Sequence, residues 1–137
     1  MIRGTKTAKR IAAGAAVLAT ASAGLLAAPT TAQAASYNGA CGSGYSVIDS
    51  LSVSGGTVFL TYNSGNGQNC VVTVRNSSGS AVFVDAGIKI SGSSTWIHDG
   101  GNYTTYAGPV RVYAPGQCID WYGTIASTAV QYNSHCG

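Results

Sequence analysis

Glutamate is missing from all 137 residues of this chain, and charged side chains of any kind make up only 8% of it. The paired carboxylates of glycoside hydrolysis would have to come from four scattered aspartates, Asp49, Asp85, Asp99 and Asp120, and nothing in their spacing pairs them. Histidine is scarce too, with His98 and His135 the two present. A nucleophile, base and orienting group would need one of them, yet no G-x-S-x-G elbow accompanies either. Adjacent residues on an extended strand point to opposite faces, so His98 and Asp99 are not expected to pair. Both histidines read as surface residues, His98 beside Gly100-Gly101 and His135 in a tail next to Cys136. No two cysteines have C-x2-C spacing, so no metal is expected. Gly65-Asn66-Gly67-Gln68-Asn69-Cys70 lacks the third glycine and the following helix of a dinucleotide loop, so no cofactor is expected either. The chain reads as non-enzymatic.

The formal charge of +3 misleads, because four of the seven basic residues, Arg3, Lys6, Lys9 and Arg10, crowd the first ten positions. An alanine-rich apolar run, Ile11 to Ala28, follows them, and Ala32-Gln33-Ala34 places small residues at the -3 and -1 positions of a cleavage site. Residues 1–34 therefore read as a secretory signal peptide and residues 35–137 as a single small β domain that works outside the cytoplasm. That domain sets Arg75, Lys89 and Arg111 against the four aspartates. Three isolated cations cannot displace the counterions of a phosphate backbone, which argues against nucleic acid and, once the leader is gone, against anionic membranes.

No window shows a sustained helical period. Thr57 to Tyr62 alternates, with Val58, Leu60 and Tyr62 on one face and Thr57, Phe59 and Thr61 on the other; Cys70 to Arg75 alternates as well. Asn63 to Gly67 between them tolerates positive φ, which predicts a hairpin. Ala81 to Ile90 places Val82, Val84, Ala86, Ile88 and Ile90 opposite Phe83, Asp85, Gly87 and Lys89. A second hairpin is expected at Pro109–Tyr113 and Cys118–Tyr122, where Pro115-Gly116 suits the middle of a type II turn. Tyr45–Val53, Ser94–Ile97 and Ser127–Tyr132 are weaker strands. About seven or eight short strands predict an all-β fold, a compact antiparallel sandwich or barrel.

A domain this small buries a modest core, and its four cysteines supply bracing as two disulfides. If the strands near residues 45, 57 and 70 run up, down and up, Cys41 and Cys70 share one end. Cys118 begins one strand and Cys136 follows its antiparallel neighbour. This favours Cys41 with Cys70 and Cys118 with Cys136. The rival joins Cys41 to Cys136 and Cys70 to Cys118, and it gains from an internal echo between Gly56–Tyr62 with Gln68–Val71 and Gly108–Tyr113 with Gln117–Ile119, which raises a duplicated hairpin.

Aromatic residues gather in the second half. Trp96, Tyr103, Tyr106, Tyr113, Trp121 and Tyr122 are candidates for a platform that stacks on sugar faces, although such rings also brace strands. Phe59 and Phe83 lie opposite the valine-rich face, so either a further layer covers them or they form an adhesive patch. Uncharged β segments such as Val71–Val74 and Ala81–Val84 raise self-association as another route to a partner. The loop Asn63–Asn69 is the candidate contact of a secreted inhibitor or toxin-like protein.

Several blocks carry a resemblance. Tyr37–Tyr45, Gly56–Asn63, Asn69–Asn76, Tyr103–Val110 and Tyr113–Trp121 resemble the spore-associated protein A family of streptomycetes, and the likeness spans nearly all of residues 35–137. The resemblance implies a small exported protein found with aerial hyphae or spores of a filamentous Gram-positive bacterium. It carries over no catalytic residue. The expected role is structural or coat-associated, at the extracellular or spore surface; the alternative is a module that binds spore-wall or cell-wall glycan through those aromatics.

Overall fold

The computed structural model describes residues 34–137; the segment expected to be a signal peptide, residues 1–34, lies outside the described residues apart from Ala34. Among the described residues, alternating β-branched and aromatic residues form nine strands: β1 (Tyr45–Val53), β2 (Gly56–Asn63), β3 (Gln68–Arg75), β4 (Val82–Ile90), β5 (Ile97–His98), β6 (Gly101–Tyr103), β7 (Tyr106–Tyr113), β8 (Ile119–Thr124) and β9 (Thr128–Ser134). The first sheet runs β1-β2-β3-β7 and the second β5-β4-β8-β9, with β6 pairing the start of β4. Every pairing is antiparallel. The fold is a two-sheet sandwich, with one strand more than the upper expectation. The addition is β6, a three-residue piece whose Gly-Asn-Tyr sequence carries no alternation.

The first hairpin forms as expected, with Asn63 opposite Gln68 and the turn closed by Gly67 N–H donating to the Asn63 carbonyl at 2.7 Å. The second does not. Gly116 adopts φ +64 and Gln117 N–H bonds the Ala114 carbonyl at 3.2 Å, as a type II turn requires, but β7 pairs with β3 while β8 pairs with β4. The turn therefore carries the chain from one sheet to the other. The echo of β2–β3 in β7–β8 accordingly does not mark a repeated hairpin.

Between the sheets lie Val58 and Leu60 of β2, Val71 of β3, Val84, Ala86 and Ile88 of β4, Val110 of β7, and Ile119 and Trp121 of β8. Alternation explains this selection: Ile119, Trp121 and Gly123 face inward, while Asp120 and Tyr122 face out. At Gly123 the sheets approach so closely that a Cβ would collide with Val58 Cγ2 and Thr73 Oγ1. Only a residue without a side chain fits there.

A second core covers the outer face of the first sheet. Phe59, Cys70, Val72 and Val74 are buried under residues 35–45, with Cys41 itself buried and Ala35, Tyr37, Ala40 and Tyr45 packed alongside. This segment is a strap. Tyr37 meets Phe59 edge-on at 5.9 Å between ring centroids, and its hydroxyl accepts from Cys41 N–H at 3.1 Å. Arg111 stands opposite Cys70 across the β3–β7 ladder and donates from Nη2 to the Cys41 carbonyl at 2.8 Å. The Cys41–Cys70 disulfide staples the strap down, and Cys118–Cys136 ties the chain entering β8 to the chain leaving β9. Both bonds are the favoured pairing. Phe59 has found its covering layer, whereas Phe83 remains 49% exposed on the second sheet.

Candidate functional site

The six aromatics expected to share a platform are dispersed. Trp121 is fully buried between the sheets, where its indole N–H donates to Ser134 Oγ at 3.1 Å, so it cannot contact a ligand. Trp96 packs edge-on against Tyr122 on the outer face of the second sheet, with ring centroids 4.8 Å apart and Lys89 Nζ 5.1 Å from the Trp96 centroid. The Tyr122 ring lies over Gly87, directly opposite it in the β4–β8 ladder. Tyr103 and Tyr106 border a shallow depression of about 280 Å³ beside Thr104 and Thr105. Tyr113 stands apart from all of these, at one end of the sandwich. The two tryptophans therefore brace the domain, and no continuous row of rings exists.

The charged groups are likewise committed to internal contacts. Arg75 Nη1 donates to the carbonyls of Ser80, Tyr103 and Thr104 at 3.0, 3.0 and 2.9 Å. Lys89 donates to the Ser93 carbonyl and lies 3.6 Å from Asp120, while Arg111 holds the strap. Asp99 accepts from the Tyr103 hydroxyl and from Gly108 N–H. Asp85 accepts from the Tyr122 hydroxyl at 2.8 Å and lies 3.2 Å from His98 Nδ1. His98 thus avoids its sequence neighbour Asp99, as strand geometry requires, and meets Asp85 of the paired strand. His135 Nε2 reaches Asp49 at 2.9 Å, joining the C-terminal tail to β1.

These contacts tune the ionisable groups. Burial pushes the Asp120 carboxyl up, but the Ser91 hydroxyl, the Asn133 amide and Lys89 outweigh it and hold the carboxyl below its ordinary range. Burial, then the bond to Asp85, pushes the Tyr122 phenol well above its usual range; the bond to Asp99, then burial, pushes Tyr103 up. Among the described residues no three His, Cys, Asp or Glu side chains converge on a point that would hold a metal ion.

What remains is a groove of about 370 Å³ at the end of the sandwich where the 63–67 turn, the 114–116 turn and the C-terminal tail meet. Ile48, Tyr62, Asn69, Tyr113, Pro115 and His135 line it. Three backbone irregularities shape it. The β1–β2 register shifts between Val47 and Asp49, so Ile48 is the extra residue of a bulge, and it stands 44% exposed. Gly67 at φ +76 lets the Tyr113 ring lie against the turn, since a Cβ there would come within 2.8 Å of Tyr113 Cε1. His135 holds φ +53, a left-handed conformation uncommon outside glycine.

Tyr113 is one of the aromatic candidates of the sequence, whereas Tyr62 is not, since alternation sets it on one face with Val58 and Leu60. Tyr62 does share that face, but it lies near the end of β2 and is 39% exposed. The loop Asn63–Asn69 forms one wall of the groove. It is folded on itself, with Asn63 Oδ1 accepting from Gly65 N–H at 2.8 Å and Asn66 Oδ1 from Gln68 N–H at 2.9 Å.

The fold and its fasteners define a small disulfide-braced β-sandwich with a strap over one sheet and a tyrosine-flanked groove at one end. The chain is 47% identical to spore-associated protein A of Streptomyces coelicolor over 128 residues, which cover 92% of this chain and 82% of that one, and it belongs to the spore-associated protein A family. No protein-family model and no solved structure matches it.

Proposed function

We propose that the protein is an exported, non-catalytic component of the surface layer of spores or aerial hyphae. The observation that carries this reading is kinship across nearly the whole chain with a protein named for its association with spores. Removal of residues 1–34 as a signal peptide is part of the proposal, and two disulfides suit the oxidising exterior it leads to.

The placement of charge supports a structural role. Arg75, Lys89, Arg111 and all four aspartates of the domain are held by backbone or side-chain partners within the fold. Groups fastened in this way lock segments together and are poorly placed to shuttle protons or grip phosphates. His98 and His135 each lie against an aspartate, and no bond joins either ring to a serine or threonine hydroxyl among the described residues.

The test is fractionation of a sporulating culture of the parent bacterium. The protein should start near residue 35 by N-terminal sequencing, be absent from the cytosol and remain on spores or hyphae through washing in low-ionic-strength buffer. A protein found wholly in the cytosol, or wholly free in the medium, would sink the proposal.

A further inference from the structure

We propose that the groove between Tyr62 and Tyr113 is a saccharide-binding site, selective for uncharged pyranose units, through which the protein attaches to the wall polymer beneath it. This rests on the surface-layer reading above and supplies its point of attachment.

The volume, about 370 Å³, lies in the range of small-molecule clefts, roughly 300–1,000 Å³. Tyr62 and Tyr113 are 39% and 57% exposed, in a domain whose Phe59 and Trp121 are buried. A pyranose ring has an apolar C–H face, which stacks on a phenol ring, and an edge of hydroxyls, which needs hydrogen-bonding partners. The groove offers both. The Tyr62 and Tyr113 hydroxyls have no hydrogen-bond partner among the described residues. Among the described residues, His135 spends Nε2 on Asp49 and leaves Nδ1 uncommitted, and Asn69 spends Nδ2 on the Thr61 carbonyl and leaves Oδ1 uncommitted. Amphipathic rings beside a few fixed polar groups are what orient a bound sugar.

Charge narrows the ligand further. No lysine or arginine lines the groove, and the aspartate nearest His135 is Asp49. A nucleotide or a phosphate-bearing polymer would enter without a counter-charge, although its bases could stack on tyrosine. Neutral hexoses and N-acetylhexosamines carry no such penalty.

The groove is also built, not incidental. The bulge at Ile48 turns an apolar side chain toward it, Gly67 seats the Tyr113 ring, and the Asp49 contact holds His135. Bulges near sites and residues at unusual φ are structural departures that a fold keeps where geometry matters.

The test uses the full-length exported protein, purified with both disulfides formed, and isothermal titration calorimetry with three probes: a β-1,4-linked N-acetylglucosamine tetramer, a β-1,4-linked glucose tetramer and a thymidylate tetramer. At least one of the two saccharides should bind saturably with a dissociation constant of about a millimolar or tighter, and the thymidylate should not bind. Tyr62→Ala and Tyr113→Ala should each weaken binding at least about tenfold, a change of about 1.4 kcal/mol, while Tyr132→Ala, exposed on β9 outside the groove, should leave it unchanged. Absence of saccharide binding up to about 10 mM would overturn the proposal. So would equal binding by a folded Tyr62→Ala/Tyr113→Ala double variant, thymidylate binding as tight as saccharide binding, or capture of a protein partner by those tyrosines without saccharide affinity. Washed-spore retention separates the two readings: a protein that stays on spores yet binds no saccharide leaves the surface role standing and removes the groove from it.

Discussion

Arg111 Nη2 donates to the carbonyl of Cys41 across 70 residues of sequence, and Tyr45 lies against the same guanidinium, 5.6 Å from its ring centroid to Cζ. The cation thus belongs to the packing of the strap. With the Cys41–Cys70 staple and the Tyr37–Phe59 contact, it makes the segment before β1 a third layer of the sandwich.

Replacing Tyr37 with Ala should uncover Phe59, now 8% exposed, and cost about 2 kcal/mol in urea denaturation with the slope unchanged. Selective loss of the Cys41–Cys70 bond, which spans 29 residues, should cost more, roughly 3 kcal/mol. A Cys41→Ser/Cys70→Ser variant as stable as the parent would show that the strap is not part of the cooperative fold.

Gly123 should tolerate no side chain. Gly123→Ala places a methyl against Val58 and Thr73 between the two sheets, and a destabilisation of about 1–3 kcal/mol is expected from overpacking. Thermal unfolding by circular dichroism measures it, and an unchanged midpoint would mean that the sheets separate at little cost.

The two tryptophans should behave differently. Trp121→Ala empties the centre of the core and should cost about 3–5 kcal/mol, whereas Trp96→Ala removes a partly exposed brace and should cost about 1 kcal/mol. Denaturation monitored by far-ultraviolet circular dichroism separates them. Equal losses would contradict the burial difference.

The acid limit of stability should depend on Asp120. Its folded carboxyl titrates below the unfolded value, so between the two values the unfolded chain binds more protons and stability rises with pH. The contribution is fully present above about pH 4 and lost as pH falls through the lower folded value. Asp120→Asn should flatten the urea midpoint between about pH 2 and pH 5 relative to the parent; parallel profiles would refute the assignment.

At the alkaline end the sign reverses. Tyr122 and Tyr103 are held neutral in the fold, so their contribution is complete below about pH 10 and declines as pH rises beyond it. Absorbance titration should show these two phenols ionising above the ordinary tyrosine value in the folded protein and returning to it in urea. Comparison with Tyr103→Phe and Tyr122→Phe identifies them.

What the sequence made legible followed from local chemistry. Alternation placed Val84, Ala86 and Ile88 on the core face of β4, and Asn63–Gly67 announced the first hairpin. The disulfides followed from which strand ends share a side of the fold. Alternation cannot say which sheet a strand joins, because Pro115-Gly116 turns the chain equally well within a sheet or between sheets. Hence β7–β8 read as a hairpin and proved a crossover. It also cannot say which face of β8 looks inward, since Trp121 and Tyr122 are both large rings on opposite sides. Tyr62 was hidden for a third reason: a core face runs out at the end of the sandwich, and the last residue of an inward-facing series can emerge into a groove. The contacts of His98 with Asp85 and of His135 with Asp49 depend on strand pairing and tail path, which no spacing encodes.

The order of the cysteine pairs bears on how the fold is reached. The first cysteine along the chain joins the second and the third joins the fourth. In a chain that emerges amino end first, Cys41 and Cys70 are available to each other while Cys118 is still to come, and Cys118 then waits only for Cys136. Oxidation in order of appearance therefore yields the native bonds directly, so maturation needs an oxidant but no later thiol exchange to undo an early mistake.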